Sequence, residues 1–236
     1  MRQPHASLNL QSRHGKSVKI ERLLGLDRQA APIRLLEIGT GSGAIAQHFA
    51  SHPTLPCDVF AVDVIDQRVV HDGFEFHLVS GTALPFPADS FDVVITNHVI
   101  EHVGERDDQL HHLTELRRVL KPDGVGYLAV PNRWMLVEPH YRLAFLSWLP
   151  RTWRTPFLRL AGRGEHYDCK PLQLAELHGL LREAGLQHTH MEREAVTAML
   201  TIERSGVAMR LAGLLPPGLW RALRPVIPTF ICTVRR

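Results

Sequence analysis

Among its 236 residues the chain has only three cysteines, Cys57, Cys169 and Cys232. An odd, widely spaced set excludes a disulfide framework and fits a reducing compartment. There is no run of about 18 apolar residues, so no membrane-crossing helix is expected. The opening stretch MRQPHASLNLQSRHGKS lacks the apolar centre of a signal peptide and reads as a loose polar arm. Together these absences point to a cytoplasmic protein. Internal repeats and low-complexity segments are missing as well, which argues against a solenoid and against wholesale disorder. The arginines are dispersed among apolar residues and no known RNA- or DNA-binding module appears, so nucleic acid is not expected as a partner.

What is present is ordinary in bulk: 44% hydrophobic and 22% charged residues suit one compact α/β domain. The charge is unevenly spread. Residues 133–163 hold six arginines and one acid, Glu138, and residues 204–236 hold six arginines and no acid. With a formal total of +3, those stretches at +5 and +6 leave −8 for the rest.

Short apolar runs alternate with helical periods. IRLLEI (33–38), DVFAVDV (58–64), FEFHLVS (74–80), FDVVIT (91–96) and VGYLAVP (125–131) read as strands, with QHTHMER and TFICTVRR as two more. VKIERLLGL (18–26), SGAIAQHFASH (42–52), residues 105–124 and residues 171–185 read as helices. Leu110, Leu113, Leu116 and Leu120 form the stripe of the third, with Pro122 and Gly124 as its stop. In the fourth, Pro171 opens the first turn and Gly185 caps the end. This alternation predicts a mostly parallel sheet with helices on both faces.

LLEIGTGSGAIA leaves a strand and opens a helix. Gly39, Gly41 and Ala44 fit the dinucleotide pattern G-x-G-x-x-A, and Gly39, Gly41 and Gly43 equally fit G-x-G-x-G. Asp63, about 20 residues on at a strand end, stands where an acid binds ribose hydroxyls. A nucleoside cofactor follows. Glu37, two residues before the first glycine, disfavours a nearby pyrophosphate and suits a cationic ligand.

LLEIGTGSG, AVDV, LPFPADSFDVVITNHVIEHV and LRRVLKPDGVGYLAVPN, in that order and spacing, resemble the successive motifs of class I S-adenosylmethionine-dependent methyltransferases, especially the methyltransferase type 11 family. The resemblance covers about residues 33–131, with a fainter echo in LQLAELHGLLREAGL. It implies a three-layer Rossmann-like fold: a mostly parallel seven-stranded sheet with an antiparallel last strand and a helical lid, all within one domain. It also implies S-adenosylmethionine as cofactor. Gly39, Gly41, Gly43 and Glu37 would hold the methionine part, Asp63 the ribose, Ala83 and Leu84 the adenine, and Asn97 would sit beside the cofactor. The family usually carries an acid after the third strand where this chain has Thr82. A hydroxyl still accepts a bond from the adenine amino group, but without charge assistance.

His98, Glu101 and His102 in HVIEH match the H-x-x-E-H pattern of one zinc peptidase class. That reading needs a further ligand and leaves the glycine loop and Asp63 unexplained. Some relatives acting on small-RNA 3′ ends or ubiquinone precursors bind a divalent ion around this segment. In many others the matching residues only shape the cofactor pocket, and no metal is assigned here. If the acceptor is a hydroxyl, a base must take its proton, and histidine is suited to that near neutral pH. His102, His98, His140 and His166 are the candidates among 15 histidines.

Residues 132–169 and 195–228 exceed what the bare fold needs and mix tryptophan, leucine and arginine. Both are expected to act as lid and substrate insertions. A helical cap with its arginines in solvent is the plain alternative. The pair suits a small or lipid-linked acceptor with an anionic group, methylated at oxygen, and peripheral contact with the inner face of a membrane. Competing readings are an NAD-dependent oxidoreductase, which Glu37 disfavours, and a non-catalytic cofactor-binding scaffold.

Overall fold

A computed structural model describes residues 10–26, 32–202 and 206–236. Helices α1 (Leu10–Leu24) and α2 (Ala44–Ala50) flank strand β1 (Ile33–Ile38), followed by β2 (Cys57–Asp63), β3 (Glu75–Leu78) and β4 (Phe91–Asn97). Helix α3 (Arg106–Val119) and strand β5 (Leu120–Pro131) complete the first half. The second half holds a small hairpin, β6 (Val137–Glu138) and β7 (Leu143–Ala144), then α4 (Arg151–Leu160), α5 (Leu174–Glu183), β8 (Gln187–His190) and α6 (Glu192–Ile202). Helices α7 (Val207–Gly213) and α8 (Pro217–Leu223) lead to β9 (Thr229–Arg235).

The main sheet has seven strands in the order β3-β2-β1-β4-β5-β9-β8. The first five are parallel, and β9 runs antiparallel to both β5 and β8. This is the expected architecture. Strand period fills both faces. Leu36, Ile38, Val94 and Leu128 point into a core closed by α3 and α5, while Leu35, Val93, Ile95 and Tyr127 point into a second core with α1, α2 and α6. Each fully buried Leu, Ile or Phe in these cores contributes roughly 1.5–3 kcal/mol relative to exposure.

Three local expectations are corrected. The polar arm is helical from Leu10, while its first nine residues lie outside the described residues. Docking of Ile20 and Leu23 into the second core holds this helix, which has little apolar stripe of its own. The helix expected over 105–124 ends at Val119, and β5 starts at Leu120. Lys121 precedes Pro122, which biases it to extended backbone, and Leu120 pairs with Phe91 across a register shift in β4. A capping box at Glu105 and Asp108 starts this helix. The helix expected over 171–185 starts at Leu174, three residues beyond Pro171, so that proline precedes the first turn, and a capping box at Gln173 and Glu176 opens it instead.

Residues 132–169 enclose a small core of their own: Tyr141, Leu146, Leu158, Tyr167 and Cys169. Arg154 is buried there, donating from Nε to the Leu149 carbonyl and from Nη2 to the Ser147 carbonyl, 2.9 Å each. This arginine therefore departs from the solvent-facing expectation, while its neighbour Trp153 is exposed.

Candidate active site

The sheet order reverses between β1 and β4. The chain leaves their carboxyl ends as the glycine turn on one side and as residues 98–102 on the other. Between them opens a cleft of about 730 Å³, where open α/β sheets bind ligands. Its size falls in the roughly 300–1,000 Å³ range of small-molecule sites.

The glycine turn is shaped by close approach. Gly39 has φ +76°, and a Cβ there would meet Val99 Cγ2 at 2.4 Å. Gly43 has φ +82°, and a Cβ there would meet the Val70 carbonyl oxygen at 2.4 Å. Gly39 and Gly41 reach the cleft wall. Gly43 packs behind it, at the entry to α2. Asp63 also reaches the wall. Its carboxylate accepts from the Gly41 amide at 2.9 Å and the Val64 amide at 2.7 Å, tying β2 to the turn.

Glu37 lies under the turn, fully buried, and does not form part of the wall. Its Oε2 accepts from the Thr40 hydroxyl at 2.7 Å and the Ala46 amide at 3.0 Å. Burial pushes its carboxyl up to about 8, against the opposing pull of Thr40, Arg13 and the Ala46 amide. Arg13 and Lys16, on α1, line the cleft. Both fall in the stretch read from sequence as a polar arm. Their spacing of three puts them on one helix face, a signal hidden by the lack of an apolar stripe.

On the β3 side, Val64, Ile65, Val79 and Leu84 give an apolar wall. Thr82 joins it, its hydroxyl 2.6 Å from His111 Nδ1. With the hydroxyl hydrogen given to that nitrogen, its lone pairs remain for an incoming donor. Ala83 stands outside the wall and is exposed. The Leu84 amide donates to Glu115 Oε2 at 2.8 Å, and Arg118 pairs with Glu115 and donates to the Leu84 carbonyl.

On the β4 side, Asn97, His98, Val99 and His102 line the cleft. His98 is a non-glycine residue at φ +59°, a conformation that concentrates at functional sites. Glu101 is fully buried between two imidazoles, with His98 Nδ1 at 3.4 Å and His102 Nε2 at 3.8 Å from its Oε1. Burial opposes its charge, yet these neighbours hold its carboxyl below the usual range. His112, behind them, is 3.1 Å from the Thr96 hydroxyl. Burial pushes it down to about 4, so it is neutral.

The 132–169 segment closes the mouth with Pro139, His140, Arg142 and Asp168. His140 Nδ1 lies 2.8 Å from Glu138 Oε1, and Glu138 Oε2 accepts the Tyr141 amide at 2.8 Å. Burial works to lower the His140 pKa, but Glu138, with Glu101 and Asp168, raises it above the ordinary value. His140 and His102 stack edge to face, ring centroids 5.1 Å apart. Cys169 Sγ lies 3.8 Å from His102 Nδ1 and 3.9 Å from His140 Nδ1. These three could share a soft metal ion, their ligand atoms lying within 4.8 Å of one another. Burial pushes the Cys169 thiol up, away from a thiolate.

Of the four candidate bases, His98, His102 and His140 meet at the cleft. His166 does not: it is exposed, 3.5 Å from Thr155 on the outer side of the lid. Glu138 was not foreseen, because an acid in a two-residue strand carries no pattern. Residues 195–228 supply none of the cleft lining among the described residues; α6 packs instead on α1 and β9.

The model of the family described as "methyltransferase domain" matches residues 11–191. The chain belongs to this methyltransferase family. The ubiquinone biosynthesis O-methyltransferase of Ruegeria pomeroyi is 30% identical over 184 residues, covering 72% of this chain and 66% of that protein. The one from Parvibaculum lavamentivorans is 29% identical over 182 residues, covering 69% and 64%. The chain thus spans just under two thirds of the length of these curated relatives. Among solved structures, an S-adenosylmethionine dependent methyltransferase from Mesorhizobium loti superposes with TM-score 0.59 at 15% identity, over 93% of this chain and 98% of that one. A SAM-dependent methyltransferase from Methanosarcina mazei gives TM-score 0.54 at 18% identity, over 88% and 93%. These two share the fold.

This methyltransferase family implies S-adenosylmethionine, and the residues present fit it. The glycine turn leaves room for a ligand against backbone, Asp63 offers carboxylate oxygens for ribose hydroxyls, and the Val79–Leu84 wall suits a flat base. Arg13 and Lys16 offer cations for a carboxylate. In the glycine turn the Gly41 amide is already given to Asp63 and so is not turned toward a phosphate.

Proposed function

We propose that this chain transfers the methyl group of S-adenosylmethionine to a hydroxyl on an amphiphilic, isoprenoid-bearing phenol. When bound, the cofactor supplies an electrophilic methyl on a sulfonium. The chain's residues hold the acceptor in line, exclude water and take its proton. The observation that carries the reading is the pairing of cleft-lining His140 with the buried Glu138 at the cleft mouth. With Nδ1–H donated to Glu138, His140 keeps its Nε2 lone pair as the proton acceptor. Glu138 is a positioning residue, and His102 packs against the imidazole. The acceptor class follows the ubiquinone biosynthesis relatives.

The lid's outer surface supports an apolar acceptor delivered from a membrane. Trp153, Phe157 and Leu160 lie at helical spacing along α4, with Trp153 65% and Leu160 87% exposed. Leu211, Leu214 and Val226 are exposed around α7 and α8, among arginines. Tryptophan and leucine flanked by arginine suit shallow burial at an anionic interface.

The test is transfer of labelled methyl from S-adenosylmethionine to a prenylated phenol presented in anionic vesicles. Wild type is expected to label the phenolic oxygen, and His140→Ala to lose 100-fold or more in kcat, as removal of a general base costs about 10²–10⁴. No labelling, or full activity in His140→Ala, refutes the assignment. Sedimentation with the same vesicles should fall in a Trp153→Ser, Leu160→Ser double variant; unchanged sedimentation rejects the membrane contact.

A further inference from the structure

Three histidines converge far from the cleft, at the sheet's last strand. His188 and His190 are two apart on β8, so both side chains leave the same face. His178 comes from α5, which packs against that strand. The three ring centroids form a near-equilateral triangle, at 4.8 Å (His178–His188), 5.2 Å (His178–His190) and 5.3 Å (His188–His190). One ligand nitrogen from each lies within 4.8 Å of the others. None of the three lines the methyl-transfer cleft.

The hydrogen bonding around them is that of a metal shell. His190 Nδ1 lies 2.6 Å from Glu192 Oε1, a carboxylate that is itself buried. This fixes the His190 tautomer and turns its Nε2 lone pair inward, the carboxylate–histidine arrangement that orients metal-binding imidazoles. That Nε2 sits 2.9 Å from His178 Nε2, so one proton is shared between two nitrogens that could each hold a cation. Glu192 Oε2 also lies 3.4 Å from Arg224 Nε.

The other histidine groups differ. Glu21 is already paired with His48 at 3.0 Å and His52 at 3.3 Å, which closes that cluster as ion pairs. His102, His140 and Cys169 belong to the cleft.

We propose that His178, His188 and His190 form a zinc-class transition-metal site that clips α5 to the edge strand β8. Zinc–nitrogen bonds of about 2.0–2.1 Å at tetrahedral angles set nitrogens about 3.3 Å apart. The 2.9 Å pair would open slightly and His188 would close in, both side-chain adjustments. Water takes the fourth position, on the shallow surface that His178, Arg182 and His188 share. Binding releases the shared proton. Strand β8 is four residues long and, among the described residues, pairs with β9 alone at the sheet's edge, so a metal link to α5 would hold that edge.

The test uses the full chain stripped with chelator, then titrated with Co²⁺ as a spectroscopic probe and with Zn²⁺ as competitor. Wild type is expected to develop the visible absorption of tetrahedral Co²⁺, saturating at one equivalent and bleached by Zn²⁺, and Zn²⁺ should raise Tm. His178→Ala and, separately, the milder His188→Gln should lose both the band and the Tm shift, with far-UV circular dichroism confirming that each folds. A Glu21→Gln variant and a His102→Ala, His140→Ala double variant should keep the band. Absence of the band in wild type, or its survival in folded His188→Gln, overturns the proposal.

Discussion

Replacing Glu37 by glutamine isolates one ionisation from its surroundings. Glu37 Oε2 takes both of its hydrogen bonds, from Thr40 at 2.7 Å and Ala46 at 3.0 Å. A glutamine carbonyl in that place accepts both, so the turn keeps its shape. What disappears is the proton equilibrium. The carboxyl titrates near 4.5 when unperturbed and at about 8 in the folded chain, a rise of about 3.5. At about 1.36 kcal/mol for each pKa unit, the upper figure is about 5 kcal/mol. The sign follows from proton counting. Between those two values the folded state holds a proton that the unfolded state has released. The stabilisation is therefore complete below about 4.5 and is lost as pH rises to about 8. His112, pushed down to about 4, works in the opposite sense: its contribution is present above its ordinary value of 6.5 and is lost as pH falls. It is common to both proteins and cancels in their difference. Urea unfolding at pH 5 and pH 8 without ligand provides the assay. Relative to wild type, Glu37→Gln should gain a few kcal/mol between pH 5 and pH 8. A wild-type minus variant difference that is the same at both pH values refutes the reasoning. The same ionisation should also appear in binding. A cationic ligand favours the charged carboxylate, so S-adenosylmethionine binding at pH 7 should release a proton in wild type but not in the variant. Calorimetry in two buffers of different ionisation enthalpy measures this.

Gly39→Ala combines a left-handed backbone, costing about 1–2 kcal/mol, with overpacking against Val99, costing about 1–3 kcal/mol. Denaturant melts should show the sum, and Val99→Ala in the same chain should recover the packing part. Asp63→Ala removes a charged acceptor from the Gly41 and Val64 amides, worth about 1.5–3 kcal/mol for each such bond. S-adenosylmethionine Kd should weaken by at least tenfold, read by calorimetry. Glu138→Gln removes the main influence that raises the His140 pKa, leaving burial to lower it. The rising limb of kcat against pH should move to lower pH while its plateau falls. The stability that His140 contributes below about 6.5, which wild type loses as pH rises through the raised folded pKa, should shrink in urea melts.

The cofactor half of the site was legible because its chemistry is local. A strand, three glycines and an acid about 20 residues on sit within two consecutive strand–turn units, and the near-continuous apolar runs of β1 and β4 read directly as strands covered on both faces. Asn97, His98 and His102 could be placed at the sheet edge because β4 ends just before them. The acceptor half was less legible. Glu138 and His140 reach the cleft only because the core around Tyr141 and Tyr167 folds the lid back over it. His166 has the same His-Tyr sequence neighbourhood as His140 and ends outside. Arg13 and Lys16 lie on the first turns of α1, ahead of the 18–26 stretch that reads as helix, in a polar part held by packing of Ile20 and Leu23 further along. Residues 195–228 resemble the first insertion in composition, but none of the described ones lines the cleft, and α6 packs on α1 and β9 instead.

By itself, then, the sequence determined the sheet, the glycine turn, Asp63 and the edge carrying HVIEH, since each rests on residue period and on conformations that only neighbouring residues set. Only the tertiary structure decided that Glu37 is buried beneath the turn, which of the candidate histidines face the cleft, and that His178 and His190 meet across twelve residues of chain. Burial, distance and the partner of a titratable group depend on segments far apart in sequence, and these are the quantities that turn a histidine into a base, a ligand or a packing residue.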